Sequence, residues 1–345
     1  MTIRLASLLA MSVALFALPF VPGMVELFRP KDGRPLEIDE TFTREPRYFG
    51  RGFREKLRPY LEELPPELPA LLEIELRHPE ILAIHQELHV PVGATETAVL
   101  AALGSADVQR GAHLGEVYVR GDARLRERVR LRALACDGNI WLGEGCTVER
   151  WIDAEEHVIA GPGCDLGFST SAGRGLRIDA GCTFRRLWGL PIFVRVEEAD
   201  AAPEEGEPPA TIEEEVVWSR RRMSLPRGFR LDRDLVVHAD VWIGAGSTIG
   251  GNIKAHGSIH LEQGVRVKGS LISRKDIRIA GGVRILGNVF AEGDLTIGPG
   301  TQVGRSRGIK TVYAAGKATV APGATVRGWL IAEAGGRVEL PRPGR

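Results

Sequence analysis

The chain repeats itself. Three successive stretches, GNIKAHGSIHLEQGVRVK, GSLISRKDIRIAGGVRIL and GNVFAEGDLTIGPGTQVG, run without a gap from Gly251 to Gly304, eighteen residues each. Counting from Ile253, Leu271 and Val289 as offset zero, aliphatic or small residues occupy offsets 0, 2, 6, 8, 12 and 14 in all three. Pairs at i and i+2 are one face of a strand, because side chains alternate across it. Three such pairs per coil, separated by corners, predict an all-β, single-stack triangular β-helix. A coil this thin cannot bury a core alone and stands only by stacking on its neighbours.

The same template slides upstream in steps of seventeen or eighteen residues, with offset zero at Leu100, Val117, Leu134, Ile152, Thr170 and Leu187. A further coil starts at Leu82, and after an interruption the pattern resumes at Leu235 and continues to Val312 and Leu330. This predicts about twelve coils over residues 82–340, in one continuous progression. Glycine recurs at offset eleven, from Gly111 and Gly145 to Gly300 and Gly323, where a corner needing positive φ would select it. Gly121-Asp122 and Gly293-Asp294 are turn chemistry at another corner.

Two insertions break the rhythm. A short one lies near Arg305–Ile309. The larger is expected at 195–228 as an acidic loop and a protein-partner site, with Phe229 and Leu231 completing the coil begun at Leu187. Its ADAAPEEGEPPATIEEE run is too polar to bury itself. Residues 341–345 form a tail.

Upstream of the repeat, Leu5 to Met24 contains no ionisable residue, about the length that spans a bilayer as a helix. Leu5, Leu8, Leu9, Val13, Leu15, Phe16 and Phe20 make residues 1–24 an expected transmembrane anchor. A cleaved signal peptide is the alternative. Only Arg4 precedes the run, whereas Arg29, Lys31 and Arg34 follow it, so the positive-inside bias places the bulk in the cytoplasm, against a periplasmic alternative. Residues 25–81 read as a stalk with a short helix over Arg51–Glu63, broken by Pro59, whose Phe53, Leu57 and Leu61 would pack on a neighbouring surface.

Lys+Arg and Asp+Glu balance at 45 each, so no net field points to nucleic acid. Cys146, Cys164 and Cys182 share offset twelve and should form an inward ladder, a geometry that suits packing better than tetrahedral metal binding. Their reduced state would suit a cytoplasmic rod. His238 and His256 share offset three, with His260 nearby. Asp122, Asp240, Asp276 and Asp294 all fall at the turn offset, where a structural role accounts for them. No catalytic residue, cofactor or metal ligand is expected from these patterns.

The starts Gly251-Asn252-Ile253-Lys254-Ala255, Gly269-Ser270-Leu271-Ile272-Ser273 and Gly287-Asn288-Val289-Phe290-Ala291, each followed by an I-x-[LI]-x-x-G-x-x-V half-coil, carry a resemblance. With the ending from Thr311 to Gly328, the coils resemble bactofilins, the bacterial polymer-forming cytoskeletal proteins. The resemblance implies a right-handed β-helix that polymerises end to end without nucleotide, binding membranes or acting as a scaffold. The N-terminal segment and its flanking charges place this chain at a bacterial inner membrane. This chain departs from the pattern in its number of coils, its side loop and its built-in anchor. The expectation is a membrane-tethered, non-enzymatic scaffold that self-associates through its final coil, at Val326, Leu330, Val338 and Leu340. Ile243 to Gly250 also fits the hexapeptide pattern of left-handed β-helix acyltransferases, which work as trimers with a histidine base between subunits. An envelope binding module delivered by a cleaved signal is the third reading.

Overall fold

A computed structural model describes residues 45–65, 69, 71–77, 80–194, 216–305 and 308–340. They form one helix, α1 (Tyr48–Glu62), and 33 strands, β1 to β33 in chain order. The fold is a β-solenoid of about 13 turns. The expected anchor, Leu5 to Met24, and residues 195–215 of the expected loop lie outside the described residues.

Coils stack by parallel pairing in the register that the repeat predicts. In the first half Leu100, Val117, Leu134, Ile152, Thr170 and Leu187 lie directly over one another. In the second half the same ladder runs Val217, Leu235, Ile253, Leu271, Val289, Val312 and Leu330. All are buried or packed against one apolar core that extends from Ala83 to Val338. Every offset-eleven glycine takes a left-handed backbone, with φ between 66° and 81° from Gly300 to Gly323. Arg128 occupies that corner in one coil and takes the same conformation, φ 56°.

The two halves do not follow one another along the stack. Strand β15 (Thr183–Val194) closes the first half, and β33 (Thr325–Val338) closes the second; they pair antiparallel, Leu187 opposite Leu330 and Ile192 opposite Val326. The coil begun at Leu187 is therefore completed within β15 and covered by β33, not by Phe229 and Leu231. Instead β16 (Val216–Ser219), β17 (Met223–Leu225) and β18 (Arg230–Leu231) form the first coil of the second half. Residues 216–228 thus belong to the rod and not to the loop. The chain leaves the seam at Val194, re-enters at the far end of the second half, and winds back to the seam.

The stalk expectation is also revised. Strand β1 (Leu71–Arg77) folds back antiparallel on β2 (Glu80–His85) and covers the first edge of the stack. Helix α1 continues through Pro59 and lies along the outside of the first half, burying Phe53 and Leu57. The outward positions beneath it are apolar or small: Leu82, Ile84, Val99, Ala101, Tyr118, Ala133, Ala135 and Trp151. The first coil is accordingly shifted by one residue from the expected register. Ala83 pairs with Leu100 and points inward, while Leu82 and Ile84 point out beneath the helix. A one-residue slip inverts every side chain, so the helix is what fixes the register here.

Candidate functional site

Three features of the rod could do work: the seam between the halves, the uncovered layer at the far end, and the clamp that holds α1.

At the seam, three of the four expected end-on residues are internal. Val326 faces Ile192, Leu330 faces Leu187, and the Val338 amide donates to the Cys182 carbonyl at 2.9 Å while its carbonyl accepts from Gly181 at 3.1 Å. All three are at most 2% exposed, whereas Leu340 is 62% exposed. The strand edge of the final coil, expected to receive a second copy, is instead covered by the chain's own β15. Trp188 and Trp329 meet on the outside of the seam, ring centroids 5.2 Å apart. Beside them a groove of about 870 Å³ is lined from both halves, with Phe168 and Arg185 on one side and Lys317 and Arg337 on the other.

The uncovered layer is at the opposite end of the second half. Among the described residues, β16, β17 and β18 each pair on one side only, with β19 (Asp234–Val237), β20 (Val241–Ile243) and β21 (Thr248–Ile249). Their inward residues Val217, Met223 and Leu225, with Phe229, are only partly buried against the core. Trp218 stands 51% exposed at the same edge.

The clamp joins α1 to the first half. Arg47 donates to both oxygens of Asp153, Nε to Oδ1 at 2.8 Å and Nη2 to Oδ2 at 2.7 Å, and through Nη1 to Glu155 at 2.6 Å. Arg54 donates to the same Asp153, to Asp137 Oδ1 at 2.7 Å and to the Cys136 carbonyl at 2.7 Å. Ser171 Oγ donates to Asp153 at 2.6 Å, and Tyr118 Oη to Asp137 at 2.6 Å. The Asp153 side chain is 1% exposed, so this is a buried, fully hydrogen-bonded carboxylate. Hydrogen bonding to Arg47 holds the Glu155 carboxyl below its ordinary range. Gly50 of α1 packs directly on Asp153, where a Cβ would collide with the carboxylate. Sequence reasoning missed the clamp, since Asp153, at an outward strand position, looks like any solvated acid.

The other sequence candidates are placed as follows. Cys146, Cys164 and Cys182 form the inward ladder, each thiol donating to a backbone carbonyl, of Arg126, Gly143 and Gly161, at 3.0, 3.1 and 3.2 Å. All four cysteines are free and buried. His238 and His256 stack, centroids 4.1 Å apart, with Trp218 against His238 at 5.3 Å. His260 lies on the next face, parallel to Trp242 at 4.7 Å, so the three histidines do not converge. Burial first, and Arg278 next, lower the His260 pKa. The turn aspartates tie coil to coil: Asp240 accepts from the Ser258 amide at 2.9 Å, Asp276 from Asp294 at 3.0 Å and Asp294 from Lys317 at 2.8 Å. Among the described residues no three metal-ligating side chains converge, and no helix is long and apolar enough to cross a membrane.

The fold and the seam define a β-solenoid built from two opposed halves. Compared with family models, curated proteins and solved structures, the chain has no match.

Proposed function

We propose that this chain is a membrane-tethered, non-enzymatic β-helical scaffold whose rod associates with a second copy through the uncovered layer at Val216–Leu231. The observation that carries the reading is the seam. Coils of this geometry accept antiparallel pairing end to end, Leu187 on Leu330, with one apolar core running through the junction. The layer at β16–β18 offers the same kind of edge, backbone groups and aliphatic side chains together, and strand edges of this kind invite a further chain. An identical edge on a second copy is always at hand and would close a two-fold, isologous contact. The tether is assigned to Leu5–Met24, and Arg29, Lys31 and Arg34 favour a cytoplasmic rod at the inner membrane. The resemblance to bactofilins supports the same class. The acyltransferase reading would need its histidines to face a shared cleft, and here they stack on two separate faces.

The test is sedimentation and negative-stain microscopy of the full chain in detergent, beside a variant carrying Met223→Lys and Leu225→Glu. End-on association predicts rods of double length in the parent and single rods in the variant, with unchanged β-rich circular dichroism. A parent that stays monomeric at high concentration would overturn it.

A further inference from the structure

One corner of the second half combines a cluster of cations with an exposed apolar ridge. On one side of it, β24 (Arg266–Val267), β27 (Arg284–Ile285) and β30 (Gln302–Val303) stack so that Arg266 lies beside Arg284 and Arg284 beside Gln302. On the other side, β25 (Leu271–Ser273), β28 (Val289–Ala291) and β31 (Lys310–Ala314) place Ile272, Phe290 and Tyr313 in one outward ladder. Ile272 is 39% exposed, Phe290 37% and Ile309, at the same corner, 55%. Along the arginine side a groove of about 330 Å³ is lined by Arg266, Lys268, Arg284 and Leu286, and further out by Thr248 and Arg230.

In these three coils the charge at the corner is of one sign. From Arg266 to Leu271, Arg284 to Phe290 and Gln302 to Tyr313 the chain has no Asp or Glu. Arg266, Lys268 and Arg284 make no ion pair among the described residues, unlike Arg230 at the outer end of the same groove, two layers from Arg266, which is paired with Asp232 at 3.0 Å. The local field is therefore positive although the chain as a whole is neutral. A basic groove beside an apolar ridge is the pattern of an interfacial surface: cations meet phosphates while apolar side chains enter the headgroup boundary.

We propose that this corner is a docking edge for an anionic bilayer surface, with Arg266, Lys268 and Arg284 on lipid phosphates and Ile272, Phe290 and Ile309 in the interface. It rests on the tethered reading in one respect, that the rod is held near a bilayer, but it concerns a surface remote from the tether in sequence. A bilayer suits the corner better than a polyanion in solution, because with a polyanion the ridge would remain wet. The consequence is an orientation: the second half lies along the membrane instead of projecting from it.

The test labels Gln302→Cys of the full chain with a polarity-sensitive fluorophore; the native cysteines are all buried, so labelling is selective. Thr296→Cys, exposed on the next face, is the control. Both are reconstituted with phosphatidylcholine vesicles, with and without phosphatidylglycerol. The expected result is a blue shift at position 302 but not at 296, seen only with the anionic lipid and reversed by salt. Replacing Arg266, Lys268 and Arg284 by Gln should weaken the binding that the shift reports by about a hundredfold, on a scale of roughly fivefold per cation. Ile272→Ser with Phe290→Ser should also weaken it. Equal shifts at 302 and 296, no dependence on the three cations, or the same shift with soluble glycerol phosphate or single-stranded DNA and no vesicles would each overturn the proposal. Failure of the tether is read separately, as chains that do not float with neutral vesicles.

Discussion

Leu187 lies opposite Leu330, and that pairing makes the stack one object: the residue that ends the outward run of the first half faces the residue that ends the returning run of the second. The ladder therefore reads Ala83 to Leu187, then Leu330 back to Val217, with the chain reversed at the seam. Around Leu187 and Leu330 both strands run far longer than any other in the rod, 12 residues in β15 and 14 in β33.

The first prediction concerns this seam. A protease site inserted between Pro208 and Pro209 should allow the chain to be cut with the halves still co-eluting on gel filtration. Leu187, Ile192, Val326 and Leu330 are buried between the halves, and a fully buried aliphatic side chain contributes about 1.5–3 kcal/mol. Leu187→Asp with Leu330→Asp should release the halves after cutting, since it sets two carboxylates opposite each other in an apolar core. Halves that separate in the parent would show that the connection, not the seam, holds them.

Much of this architecture is legible in the sequence, and the reason for the rest is physical. Coil length, inward residues, glycine corners and the cysteine ladder all follow from local alternation, which burial enforces residue by residue. The reversal does not. Leu330 and Leu235 are equally good partners for Leu187 by pattern, because an offset-zero aliphatic fits against another in either chain direction. The available signal was the run from Leu187 to Val194, LWGLPIFV, which has no polar residue at the corner where other coils place Gly121-Asp122 or Gly293-Asp294. The helix site was likewise written in Ala101, Ala133 and Ala135, small residues at outward positions; where Ala101 and Ala135 stand, coils of the second half carry the larger Lys254, Ile272 and Phe290. The buried state of Asp153 depends on α1 arriving from a distant part of the chain, so nothing near Asp153 announces it.

The second prediction concerns the clamp. Arg47→Ala with Arg54→Ala leaves Asp153 buried without a counter-charge and should cost about 3–5 kcal/mol, the usual penalty for removing one side of a buried pair. Adding Asp153→Asn should recover a large part of it. Loss of α1 is read by the fluorescence of Trp151, whose ring packs against Phe53 at 5.5 Å. Gly50→Ala should have a similar effect through collision alone. The pairing also has a pH sign. The Glu155 pKa is depressed in the fold, so its contribution is present above the unfolded value of 4.5 and is lost as pH falls through the lower folded value. Trp151 fluorescence should therefore report release of the helix in acid.

The third prediction isolates backbone strain. Arg128 holds φ 56° at a corner where the other coils place glycine, and its side chain is exposed. Arg128→Gly should stabilise the rod by about 0.5–1 kcal/mol, the left-handed penalty of an L residue less the greater freedom of glycine when unfolded. Arg128→Ala should give little gain, because its Cβ meets the same carbonyl. Denaturant midpoints of the two variants decide between strain relief and loss of a charge.

The last prediction concerns the buried thiols. Burial first of all pushes the Cys136 thiol up to about 12, and burial with the hydrogen bond to Asp137 pushes the Tyr118 hydroxyl up to about 12. In both groups the folded pKa is the higher one, so the fold favours the protonated form. Their stabilisation is complete below the unfolded pKa, 9.0 for the thiol, and declines as pH rises from there toward about 12. For the thiol, the rise from 9.0 to about 12 is equivalent to about 4 kcal/mol at most. The measurable consequences are two. Denaturant stability should be flat from neutrality to pH 9.0 and then fall, and Cys136→Ser should remove part of that alkaline slope while lowering stability at neutral pH. Thiol-disulfide reagents at about pH 8 should leave all four cysteines unmodified in the native rod and titrate four per chain after denaturation, because the reactive species is the thiolate and none is accessible. Rapid native labelling of Cys136 would show that the coil beneath α1 opens far more readily than its packing implies. In the same ladder Cys164→Asp would bury a charge with no counter-ion between Cys146 and Cys182, beside the Gly143 carbonyl that now accepts from the Cys164 thiol and would repel a carboxylate, so that variant should fail to fold while Cys164→Ala folds with a modest loss.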